Sequence, residues 1–167
     1  PGIFLDEVGG GLFINPVTRD IDDVKRLAKF ERPDMGLDDK IMEKKPGGAG
    51  NPGGFALMFV GGFYVSSKDV FKGRALFVVT QNYFSIDAEA EFGKRLIEAY
   101  AFMEIGWDPA YAEGYLEVEM DFVKILRGEG NVGFYAYASD PWGVFGEFTI
   151  EFLAMEIASG SMFIGPP

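Results

Sequence analysis

The chain has 167 residues, nearly half of them apolar and 16% aromatic, with seventeen Phe, which is ample core material for a single folded domain over residues 1–167. It contains no His and no Cys, so thiolate chemistry, zinc clusters, disulfides and the commonest general base are all excluded. A net charge of −11 repels nucleic acid and anionic membranes, and no segment approaches 18 uncharged apolar residues, so the expectation is a soluble protein that binds neither.

The first 45 residues predict an N-terminal strand-helix arm. Ile3 to Val8 reads as a strand, Leu12 to Ile14 as a second short one, and Asp20 to Glu31 as a helix with Ile21, Val24, Leu27 and Ala28 on one side, stopped by Arg32-Pro33. The run IFLDEVGGG imitates the Walker B strand of nucleotide enzymes, but no G-x-x-x-x-G-K-[ST] loop accompanies it, so Asp6-Glu7 reads as the surface end of a strand. Pro1 offers a secondary amine as a general base, with no motif after it to support that role. An arm this small, without disulfide or metal, has to pack on its own chain or on a neighbour.

Residues 46–54, PGGAGNPGG, predict an exposed loop joining the arm to a core over residues 55–167. Within that core, Phe55 to Val60 and Phe63 to Val65 read as strand split by a bend at Gly61-Gly62, and Arg74 to Gln81 reads as another strand. A long helix is predicted from Ile86 to Ile105: Ser85 would be its N-cap, Gly106 its stop, and Phe92, Leu96, Ala99 and Met103 its buried stripe. In the last third, Leu116, Val118, Met120 and Phe122 alternate with Glu117, Glu119 and Asp121. Two further strands, Val132 to Ser139 and Val144 to Ile157, complete a β-meander, with turns expected at Arg127 to Asn131 and Asp140 to Gly143. The expected fold is therefore α+β, an antiparallel β-meander sheet covered by one long helix.

Chemistry-bearing patterns are few. Glu117, Glu119 and Asp121 share one strand face at about 6 to 7 Å spacing, where hard oxygens suit Ca²⁺ or Mg²⁺, and Lys124 or Arg127 could neutralise them; the plainer reading is the solvent side of a half-buried strand, repeated by Glu147, Thr149 and Glu151. Trp107, Tyr111, Tyr115, Tyr135, Tyr137 and Trp142 suit a pocket lining or a contact surface. No cofactor motif is present and enzyme chemistry has little support. The expectation is a non-catalytic structural or assembly subunit, a homo-oligomer joined through its arm and exposed strand edges; the alternative is a small-molecule-binding protein or carboxylate/Tyr-based enzyme with its pocket between sheet and helix.

Overall fold

A computed structural model describes residues 2–14, 54–107, 110–138 and 140–166. Nine strands follow in chain order: β1 (Ile3–Ile14), β2 (Phe55–Val65), β3 (Phe71–Thr80), β4 (Tyr83–Phe92), β5 (Ile97–Trp107), β6 (Ala110–Phe122), β7 (Leu126–Tyr137), β8 (Asp140–Phe152) and β9 (Met155–Ile164). Each pairs antiparallel with the next, giving one sheet in the order β1 to β9.

The meander expected for the last third thus extends to all the described strands, and the α+β expectation is overturned: the described residues contain no helix, and none of them forms the long helix expected to cover the sheet. The stretch assigned to that helix is the β4–β5 hairpin. Its stripe residues Phe92, Leu96, Ala99 and Met103 fit helical spacing by coincidence, while Asp87, Glu89 and Glu91 alternate with Ala88, Ala90 and Phe92. Gly93, at φ 64°, and Lys94 and Arg95, at 54° and 70°, turn the chain with left-handed backbone that a helix cannot hold. Ser85, the supposed cap, is a buried strand residue, and Gly106, the supposed stop, lies in β5 beneath the Tyr111 ring, where a Cβ would overlap it.

Other boundaries shift for similar reasons. The two short strands of the arm are one continuous β1, bulged between Leu5 and Glu7, and it pairs with β2 of the same chain from Ile3↔Val65 to Ile14↔Phe55. Gly61-Gly62 leaves β2 unbroken. Arg127 to Asn131, expected as a turn, lies inside β7, and the actual turn is formed by Val123 and Lys124 at φ 54° and 59°. Asp140 to Gly143 begins β8, and the last long strand is divided into β8 and β9 by Leu153-Ala154, again at positive φ. The predicted helix over 20–31 and nearly all of the 46–54 loop fall outside the described residues, as does Pro1.

The register sorts side chains onto two faces. One carries Leu57, Phe59, Phe77, Ile86, Met103, Ile105, Leu116, Val118, Phe134 and Phe148, and from β1 to β9 it has no charged, amide or hydroxyl side chain at any regularly paired position. The other carries the strand acids together with all the large side chains that are buried. At its β2–β3 end sits a small apolar cluster of Ala56, Met58, Leu76 and Val78, flanked by Phe13, Val60, Tyr83 and Tyr100. From β4 onward that same face becomes acidic.

Candidate functional site

The buried acids sit where β4, β5 and β6 lie side by side. Strand alternation puts Asp87, Glu104 and Glu113 on one face, and the register sets Glu104 directly opposite Glu113 and Ser85 opposite Glu104. Asp87 and Glu113 are fully buried and Glu104 nearly so. Burial of a carboxylate is costly unless donors surround it, and tyrosines supply them. Tyr111 donates its hydroxyl to Glu104 at 2.7 Å, Tyr137 to Glu113 at 2.9 Å and Tyr100 to Asp87 at 2.8 Å. Tyr111 and Tyr137 stack with centroids 5.8 Å apart, and Tyr135 leans on Tyr137 at 6.2 Å. Burial first, then the neighbouring Glu104, pushes the Tyr111 phenol well above its ordinary range; burial and Glu113 do the same to Tyr137. Both therefore remain donors across the accessible pH range. The buried Ser85 Oγ meets no partner among the described residues.

Nearer the 93–96 turn the face is open and more strongly acidic. Glu91 lies opposite Glu98, Glu98 opposite Glu119, and Glu119 opposite Glu129, a row of like charges across four strands. Such pairs repel unless cations intervene. Arg95 approaches Glu91 at 3.7 Å and Glu98 at 3.5 Å, Lys72 reaches Glu91 at 3.1 Å, and Arg74 lies between Glu89 and Glu7 at 3.3 and 3.7 Å. These groups border a trough of about 580 Å³. Partial burial, then Glu117, Glu98 and Glu129, holds the Glu119 carboxyl above its ordinary value, and burial does the same for Glu89 against the opposing pull of Arg74.

The structure places the acidic ladder of β6 on this face. Tyr115 donates to Glu117 at 2.7 Å, Glu119 belongs to the like-charge row, and Asp121 pairs with Arg127 at 3.2 Å and accepts from the Lys124 backbone N–H. Glu147 accepts from Asn131, and Glu151 lies opposite Arg127. Among the described residues, no three carboxylates form a group able to hold a metal ion. Asp6 sits in the β1 bulge and pairs with Lys68, while Glu7 faces Arg74. The aromatic candidates separate: Tyr111, Tyr115, Tyr135 and Tyr137 belong to the acidic face, whereas Trp107 and Trp142 are half exposed at one end of the sheet, Trp107 Nε1 donating to the Gln81 carbonyl.

Sequence reasoning missed Asp87, Glu104 and Glu113. Glu113 alone left a local signal, the alternation of Tyr with acid in Tyr111-Ala112-Glu113, where the pair flanks an apolar residue and so shares a face; Asp87 and Glu104 have their tyrosines on neighbouring strands. The pocket imagined between sheet and long helix has no counterpart, because that helix is absent. No helix among the described residues is long and apolar enough to cross a membrane, a statement that concerns helices and leaves strands aside. No family model, curated protein or solved structure matches the chain, and its role has to be read from the two faces themselves.

Proposed function

We propose that the chain is an architectural element of a membrane-embedded β-structure, its apolar face against lipid acyl chains and its acid-and-tyrosine face turned to an enclosed interior. One observation carries this: the polarity of the sheet is inverted relative to a protein built for water. Asp87 and Glu113 are 0% exposed while Leu57, Phe59 and Phe148 are 51%, 49% and 47% exposed. In water an antiparallel sheet buries its apolar side and solvates its charges; a strand in lipid does the reverse, and its neighbours satisfy its backbone.

Dimensions agree. The strands run 10 to 13 residues, and membrane strands need about 9–11. From Ile97 to Trp107, β5 is about 33 Å long at about 3.3 Å per residue, or about 25 Å high at a tilt of about 40°, the height of a membrane barrel's apolar band. Aromatic side chains mark both rims of the apolar face: Phe71, Phe92, Phe122 and Phe152 at one end, Phe55, Phe84, Trp107 and Trp142 at the other. Interfacial aromatics are the usual border of such a band.

The test uses the chain's two tryptophans, both at one rim. Refolded into phosphatidylcholine vesicles, the protein should float with them, and bromine-labelled acyl chains should quench emission from Trp107 and Trp142. Protein that stays in the aqueous fraction with unquenched tryptophan overturns the proposal.

A second reading keeps the expectation of self-assembly. The outward edges of β1 and β9 have no strand partner among the described residues, and an unpaired edge is a template for another chain. A discrete detergent-free dimer with both tryptophans shielded would favour this reading, with a second copy covering the apolar face.

A further inference from the structure

Every Lys and Arg among the described residues lies toward one end of the sheet. Lys68, Lys94, Arg95 and Lys124 occupy the turns after β2, β4 and β6, and Lys72, Arg74 and Arg127 stand on the first few residues of β3 and β7. The short connections at the opposite end, 81–82, 108–109 and 138–139, have no Lys or Arg, and the long 15–54 connection, which leaves from that end, carries eight basic and eight acidic residues. Turns 66–70, 93–96, 123–125 and 153–154 together hold four cations against the single acid Asp69. Lys94 and Arg95 are 73% and 74% exposed although each touches a carboxylate, and Lys124 has no ion pair among the described residues.

Exposed apolar side chains alternate with these cations. Val123 is 79% exposed and Ile125 51%, on either side of Lys124; Val70 and Leu153 stand out from their own turns. Val123 pays for its place, because a β-branched residue at φ 54° is disfavoured in a position where Asn or Gly would sit without strain. Neither packing nor turn chemistry explains a valine there. An environment that is apolar on one side and anionic on the other does.

Building on the membrane reading above, we infer that these turns dock into the headgroup layer of an anionic phospholipid leaflet, with Lys94, Arg95 and Lys124 meeting phosphates and Val123, Ile125 and Leu153 dipping toward the acyl boundary. Hairpin turns that join alternate strand pairs stand about 10 Å apart, so the cations form a spaced row that suits many headgroups rather than one free anion. The turns continue the Phe71, Phe92, Phe122 and Phe152 rim of the lipid-facing side. The net charge of −11 makes other approaches to an anionic surface unfavourable, and Glu91, Glu98, Glu119 and Glu129 stand just behind these turns, so the cationic turn tips alone set which way the sheet enters.

Flotation of the full chain with vesicles of phosphatidylcholine alone, or mixed with phosphatidylglycerol, tests this. At low salt the wild type should favour the anionic vesicles, and the Lys94→Gln/Lys124→Gln variant should lose about thirtyfold of that preference, as expected for two lysines near a charged surface. High salt should erase the preference in the wild type itself, which keeps the test sound if the variant misfolds. Phosphate at matched ionic strength should compete no better than chloride; specific competition identifies a free-phosphate site and overturns the inference. Equal binding to neutral and anionic vesicles overturns the inference and leaves the membrane reading standing, while binding to neither overturns both.

Discussion

The two faces of this sheet are written by the same strands, residue by alternate residue, yet they obey opposite rules. Between its aromatic rims the apolar face carries nothing that needs a hydrogen-bond partner, and side chains as large as Phe59, Ile105 and Phe148 remain substantially exposed. On the other face Asp87, Glu104 and Glu113 are withdrawn from solvent and each is met by a tyrosine hydroxyl. One face tolerates exchange of one hydrophobe for another; the other depends on particular atoms. The difference teaches that burial in this sheet goes with hydrogen-bonded pairing and is not a measure of hydrophobicity.

The largest effect should come from placing a charge on the apolar face. Met103 lies mid-strand in β5, and Met103→Lys should cost about 2–4 kcal/mol of folding free energy in a bilayer, while in water it should be neutral or improve solubility. Urea titration in vesicles against urea titration in buffer breaks or sharpens the contrast, and equal effects in both would show that the face does not meet lipid.

Next comes removal of a donor from the acidic face. Tyr111→Phe keeps the ring stack with Tyr137 but deprives Glu104 of its 2.7 Å hydrogen bond, which should destabilise by about 1.5–3 kcal/mol as judged by the denaturation midpoint. Tyr111→Phe combined with Glu104→Gln should recover part of that loss, because an amide is cheaper to bury than a carboxylate.

A smaller effect concerns pH. Glu119 and Glu89 have folded-state pKa values above the ordinary 4.5, so the folded state favours their protonated forms. These groups therefore lower stability above the raised value and cease to do so below about 4.5, and acidification through that window should raise their contribution. Glu119→Gln should flatten this part of the stability-versus-pH curve and raise the neutral-pH midpoint slightly. A steeper curve in the variant would contradict the like-charge origin of the shift.

Smallest is a backbone change that touches neither face. Gly93 holds φ 64° in the β4–β5 turn, and Gly93→Ala should cost about 1 kcal/mol, equally in water and in lipid.

The strand content was legible wherever large hydrophobes alternate with acids, as in Leu116 to Phe122. It was obscured in β4 and β5, where Asp87, Glu89 and Glu98 alternate with Ala88, Ala90 and Ala99: Ala is a strong helix former and gives little contrast at period two. The turns at 123–125 and 153–154 were invisible because they lack the Asn-Gly signature and use Val, Lys, Leu and Ala at positive φ. Alternation also revealed that two faces exist without saying which one is buried. The default puts acids in water, and the tyrosines that reverse it reach diagonally from neighbouring strands, two residues off the direct pairing and out of reach of a local pattern.

The parity of the strand count has a consequence of its own. With every join antiparallel and nine strands in order, β1 and β9 point the same way. A wall that closes directly between them acquires one parallel seam beside eight antiparallel joins, and only an odd number of additional strands restores strict alternation. Parallel pairing is slightly the less stable per residue. The Gly9-Gly10-Gly11 run of β1 adds backbone freedom at that same border, which would make a direct seam the zipper of such a wall, the line along which it parts first.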